Sequence, residues 1–195
     1  MRAGLSIPLL FLGALIGGGA AAPSANQSIT LIGNGMARKC EAHAKLASDR
    51  MMSPQHAVST CTEALNLEAL TAADRAATLN NRGVVLLHEM GEIGPALADF
   101  DAATGVAPKR AESYINRGGI LLRQERYGEA IVELEQGLTL GNLKEPWKAH
   151  YNRALAREAL GDLRGARDDY AAALELKPDW EIASEQLARF SVRAR

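Results

Sequence analysis

Apolar residues return at helical spacing through most of the chain. Leu79, Gly83, Leu86 and Leu87 make one stripe, Leu97, Phe100 and Ala103 a second, and Tyr114, Gly118 and Leu121 a third. Ala130, Leu134, Leu138 and Leu140 continue the pattern, and Leu174 and Leu176 close a later run. A stripe of this kind covers one face of a helix and leaves the rest to charged residues, so the predicted elements are amphipathic helices that bury one side. No strand pattern is evident. Turn signals separate the stripes: Gly91, Tyr127-Gly128 and Gly161-Asp162 between some of them, Pro108 and Pro178 after others.

A longer period lies over the short one. Asn81-Arg82-Gly83, Asn116-Arg117-Gly118 and Asn152-Arg153-Ala154 each open a copy of the same pattern. An alanine follows about a dozen residues later (Ala96, Ala130, Ala166), and these alanines are 34 and 36 residues apart. Next come Asp99-Phe100, Glu133-Leu134 and Asp169-Tyr170, then the small residues Ala103, Gly137 and Ala173. The period is too long for a heptad or a strand repeat and fits an array of helix pairs. Gly83, Gly118 and Ala154 stand where the first helix of a pair approaches the second, and Ala96, Ala130 and Ala166 stand where the second approaches the first.

These residues, in this order, resemble the tetratricopeptide repeat family. The resemblance covers Ala76–Asp179 well and Arg38–Leu70 weakly. It implies an all-α, right-handed solenoid of antiparallel helix pairs with about four repeats, the N-terminal one degenerate, and a C-terminal cap helix. The corresponding division is a helix pair at 36–71, repeats at 76–110, 111–144 and 147–180, and a cap helix at 181–192. Asn142 departs from the pattern at a closing proline, Glu125 at a turn glycine and Arg157 at an apolar position, which affects local packing and not architecture.

Composition changes the picture little. A net charge of -1 with 23% charged residues provides no footprint for nucleic acid or an anionic membrane. The N-terminus differs from the rest: Arg2 precedes an apolar run from Leu9 to Ile16 and the small residues Gly17 to Ala22. That order predicts a secretory signal peptide over 1–21 and a flexible leader over 22–35. The run is too short and too broken by glycine for a membrane anchor. The expected location is therefore outside the cytosol, periplasmic or secreted, with no membrane span after cleavage.

Export bears on the cysteines. Cys40 and Cys61 are the only two, and an oxidising compartment favours their pairing as a disulfide. If Met36–Ala47 and Pro54–Leu67 are antiparallel helices, a residue early in the first faces one midway along the second. A weaker alternative reads Cys40-x-x-His43 and His56-x-x-x-x-Cys61 as metal hooks, but residues five apart diverge by about 140° on a helix. No metal and no cofactor is expected.

Arginine next to the small residue of each first helix recurs with an acid sixteen or seventeen positions later: Arg82 with Asp99, Arg117 with Glu133, Arg153 with Asp169. Ion pairs across the two helices are expected from that spacing, with arginine suited to a forked contact. The family resemblance implies a concave face, lined by first helices, that binds a segment of another protein. Asn81, Asn116 and Asn152 match a groove position whose amide can bond a ligand main chain, and Leu122, Arg123 and Tyr151 are neighbouring candidates. Glu112 and Glu158 interrupt any basic cluster of the kind that grips an acidic tail. No catalytic motif stands in a fitting context, so the expected class is a protein-interaction module and not an enzyme. A structural component that assembles through the outer face is the alternative, and self-association stays open.

Overall fold

In a computed structural model the described residues run from 35 to 192. The expected signal peptide and all of the leader but Gly35 lie outside them. The described residues are helical, without strands: α1 (Gly35–Ser48), α2 (Pro54–Leu67), α3 (Ala72–His88), α4 (Ile93–Val106), α5 (Ala111–Arg123), α6 (Tyr127–Leu140), α7 (Pro146–Ala159), α8 (Leu163–Leu176) and α9 (Glu181–Val192). They form two compact units that divide between Ser113 and Tyr114, inside α5.

Local chemistry sets the helix ends. Ser53 caps α2 by accepting from the His56 N–H at 3.3 Å, with Pro54 in the first turn, where its missing N–H costs nothing. Thr71 caps α3 through the Asp74 N–H at 3.1 Å, so this helix starts at Ala72, ahead of the apolar stripe that marks it in the sequence. Asp162 caps α8 through the Gly165 N–H at 2.9 Å. Helix α1 is served from a distance. Its first N–H groups, from Met36 and Ala37, donate instead to the Glu68 carboxylate at 2.6 and 3.0 Å, an anion placed at the positive end of the helix. Gly91 and Gly161 turn the chain with φ of 72° and 84°, and Glu125 takes the same left-handed conformation, at 59°, between α5 and α6.

In the N-terminal unit α1 packs on α2, and α3 packs on α1, α2 and α4. Its apolar layers are small. Ala44, Ala47, Ala57 and Val85 make one, flanked by Met52 and Val58; Leu65, Ala76, Leu79 and Ala103 make another, with Leu70, Val106 and Ala107. Cys40 and Cys61, both wholly buried, are joined as a disulfide with their Cα atoms 4.6 Å apart. Their sulfurs are bonded to each other, so the cysteine–histidine metal reading does not hold: neither sulfur is a thiolate.

Small residues mark the closest approaches within pairs. A methyl group built on Gly83 would lie 2.7 Å from the Phe100 ring, and one on Gly118 would lie 2.7 Å from Leu134 Cγ and 3.3 Å from the Ala130 carbonyl. Both partners are wholly buried. Gly118→Ala is therefore expected to lower stability by about 1 kcal/mol, because overpacking outweighs the gain in helix propensity. Gly128, on α6, has nothing within 4 Å of such a methyl. Gly128→Ala is expected to raise stability by about 0.5 kcal/mol, and urea midpoints of the two variants that move the same way would refute the contrast.

Candidate partner-binding surface

The three repeated arginines project from first helices toward the acids of the second. Arg82 makes a forked contact with Asp99, Nε and Nη2 donating at 2.8 and 2.6 Å, and its Nη1 donates to Thr62 of the preceding pair at 3.0 Å. The hydrogen bond from Arg82 to Asp99 holds the guanidinium above its ordinary range, against the effect of burial. In the C-terminal unit Arg117 stands 3.0 Å from Glu133. Arg153 forks onto Asp169 at 2.9 and 2.6 Å.

Asp169 gathers more than its spacing implies. Arg157 donates to it at 2.8 Å, and His150 Nδ1 lies 3.3 Å away. Glu135 of α6 joins the group, 3.0 Å from Arg157 and 3.7 Å from Arg153. The Asp169 side chain is 4% exposed. Burial pushes its carboxyl up, but the hydrogen bonds from His150 and Arg153 and the charges of Arg153 and Arg157 outweigh that and hold it below the usual carboxylate range. Such a carboxylate is committed to its cations and is a poor general base. Arg157, which departs from the family pattern at an apolar position, belongs to this group; its place four residues after Arg153 is the signal that could have shown it.

The candidate groove residues have a different fate. Asn81, Asn116 and Asn152 are 2%, 0% and 0% exposed, and Leu122 and Tyr151 are also buried. Arg123, at the end of α5, is exposed. Only Arg123 of the six is thus exposed to solvent. Asn81 Oδ1 has no hydrogen-bond partner among the described residues.

Tyr151 is closed off by aromatic packing. Its ring centroid lies 5.0 Å from that of Trp180, at the entry to α9, and 5.5 Å from Tyr170, which in turn lies 5.9 Å from Phe190. Tyr170 donates to Glu158 at 3.0 Å, and Arg189 of α9 pairs with the same carboxylate. Burial, with the nearby Glu158 charge, pushes the Tyr151 hydroxyl up to about 12, and it stays protonated. Glu112, by contrast, sits in the N-terminal unit, buried and 3.6 Å from Arg110.

Among the described residues no helix is long and apolar enough to cross a membrane. No group of three or more His, Cys, Asp or Glu side chains among them could hold a metal ion.

Comparison with known proteins fits this architecture. Family profiles described as tetratricopeptide repeat match residues 111–140 and 147–180. Among solved structures, the MamA chain spanning residue 41 to its end from Desulfovibrio magneticus RS-1 aligns with 82% of this chain and 86% of its own, with a TM-score of 0.65 and 21% identity. The first repeat domain of Spaghetti (RPAP3), solved with an HSP90 peptide, SRMEEVD, aligns with 63% of this chain and 97% of its own, with a TM-score of 0.57 and 24% identity. The chain spans only 21% and 16% of the length of the first curated relatives it matches. The tetratricopeptide repeat protein 36 homolog of Drosophila pseudoobscura pseudoobscura is matched more fully, 30% identical over 141 residues that make up 71% of this chain and 75% of that protein. With its paired helices, small-residue contacts and this relative, the chain belongs to the tetratricopeptide repeat family.

Proposed function

We propose that the chain is a protein-interaction module that holds a segment of another protein against the first helices of its pairs and performs no chemistry. The observation that carries this reading is the repeated helix-pair plan. In each of the three clear pairs an Arg–acid contact joins the two helices, and in the first two a glycine lets them approach closely. Arg123 is exposed on α5. The Spaghetti domain binds a peptide with an acidic end. An acidic tail is not the segment proposed here, because Glu158 lies on α7 and is already engaged by Tyr170 and Arg189. Residues 2–22 and the Cys40–Cys61 disulfide favour a working place outside the cytosol.

The test is affinity capture from the native cells with the exported form. Wild type is compared with Arg123→Glu and with the variant carrying Asn81→Ala, Asn116→Ala and Asn152→Ala, each checked for helicity. Arg123→Glu is expected to weaken a captured partner about tenfold, through loss of the guanidinium's contacts. The buried triple variant is expected to lose the partner together with part of its stability. Equal capture by all three proteins would remove the first-helix face from consideration, and protein found in the cytosol with free thiols would remove the location.

One observation favours assembly as a second reading. Val132 on α6 and Leu163 and Leu176 on α8 are exposed large apolar residues on second helices. A solution mass of more than one chain, reduced to one by Val132→Asp, would favour it.

A further inference from the structure

Two histidines meet on the α1–α2 pair beside the disulfide. His43 is half-buried on α1, and His56 is exposed in the first turn of α2. Their ring centroids are 5.2 Å apart and their planes are inclined by 33°. His43 Nδ1 lies 2.9 Å from Thr60 Oγ1, and Thr60 Oγ1 donates to the His56 carbonyl at 3.0 Å. A hydroxyl has one proton. Thr60 spends that proton on the carbonyl, so toward His43 it accepts, and His43 Nδ1 carries the hydrogen. The lone pair of His43 is therefore on Nε2.

This is the arrangement that presents an imidazole to a metal ion, one nitrogen fixed by a hydrogen bond and the other left basic. The separation of the rings fits as well. With metal–nitrogen bonds of about 2.05 Å, two imidazoles sharing one tetrahedral ion have centroids about 5.2 Å apart. The backbone is pinned nearby, since Cys40 lies one turn before His43 and Cys61 one residue after Thr60 in the joined pair. Helix α1 therefore cannot slide along α2.

We propose that His43 and His56 form an open, two-histidine site for a divalent transition-metal ion of imidazole preference, with water completing the coordination. Of the ions that imidazole suits, Cu2+ is bound most tightly by nitrogen ligands, so it is the probe of choice. The site uses neither cysteine. Lys39, on the same helix, adds positive charge near His43 and opposes any cation there. The affinity is accordingly that of a two-ligand site and not of a closed structural one.

The experiment is calorimetric titration of the full-length, oxidised chain, free of any affinity tag, with Cu2+ at neutral pH in a buffer that does not chelate the ion. Wild type is expected to bind about one equivalent. His56→Gln, at an exposed position, and His43→Gln are each expected to lower affinity about tenfold or more, with circular dichroism unchanged. Thr60→Val keeps both imidazoles but frees the His43 tautomer, and is expected to weaken binding about tenfold at the same stoichiometry. Changing the two remaining histidines, His88→Asn with His150→Asn, leaves the affinity as it was. The proposal is overturned if wild type shows no saturable binding, if either His43→Gln or His56→Gln binds as wild type does, or if the His88/His150 variant loses the ion.

Discussion

Asp169→Asn is expected to lower the stability of the chain by about 3 kcal/mol, although it removes no atom from the packing. The carboxylate is 4% exposed and accepts from Arg153 and Arg157 while His150 stands beside it. An amide of the same shape offers one acceptor oxygen and no charge. Two guanidiniums whose side chains are only 16% and 23% exposed would then depend on Glu135, itself nearly half exposed. Removing one partner of a buried pair costs far more than the pair contributes over an apolar substitute, because the remaining charges stay desolvated. The exposed Arg126–Glu129 pair, 2.6 Å apart, supplies the contrast. Glu129→Gln is expected to leave the urea midpoint where it was, since solvent screens that pair.

Acid should reveal the same group. The folded Asp169 carboxyl titrates below its ordinary value of 3.8. An acid depressed in the folded state adds stability that is fully present above the unfolded value and disappears as pH falls through the folded one. Wild type therefore loses stability below about pH 4 more steeply than Asp169→Asn, and the two curves converge at low pH. Parallel curves of urea midpoint against pH would refute this assignment.

Reduction of Cys40–Cys61 is the second large effect. Opening a loop with a sequence separation of 21 gives the unfolded chain freedom equivalent to about 3 kcal/mol in the chain-entropy account. The composition of α1 explains why the effect is concentrated there. Its buried side chains are Cys40, Ala44 and Ala47, which remove little apolar area from water. Its N-terminus is held by Glu68, a residue outside the helix. With the sulfurs separated, α1 has few large contacts to keep it on α2 and α3. Hydrogen exchange after reduction should accelerate across residues 35–67 and little in α7 and α8. Uniform acceleration would mean that the disulfide supports the whole chain, and no change would mean that the alanine layer suffices alone.

The repeat was legible because its cause is local and periodic. A glycine or alanine is required wherever two helices approach closely, so Gly83, Gly118 and Ala154 recur, and the residues that meet them recur at a fixed distance. The cysteines were legible by count, there being two. The seventeen-residue step from Arg82 to Asp99 is visible in the sequence, whereas the forked geometry and the added bond to Thr62 depend on coordinates. Less could be read where one helix's chemistry is completed by another far along the chain. Glu68 capping α1, Glu135 joining Asp169, and Thr60 orienting His43 have no pattern that marks them as partners.

Exposure divides what the sequence determined from what the tertiary structure decided. Periodicity assigns a face to each helix, and the family resemblance then implies that Asn116, Asn152 and Tyr151 are groove residues. Whether such a face stays open depends on what is packed over it. Trp180, entering α9, lies against Tyr151, and the asparagines are closed to solvent. By itself the sequence determined the helices, the period of their pairing and the family, since each follows from local spacing of side-chain size and polarity. Burial, the charge network of Asp169 and the meeting of His43 with His56 were decided only by tertiary structure, because each depends on distances between residues that spacing along the chain does not set.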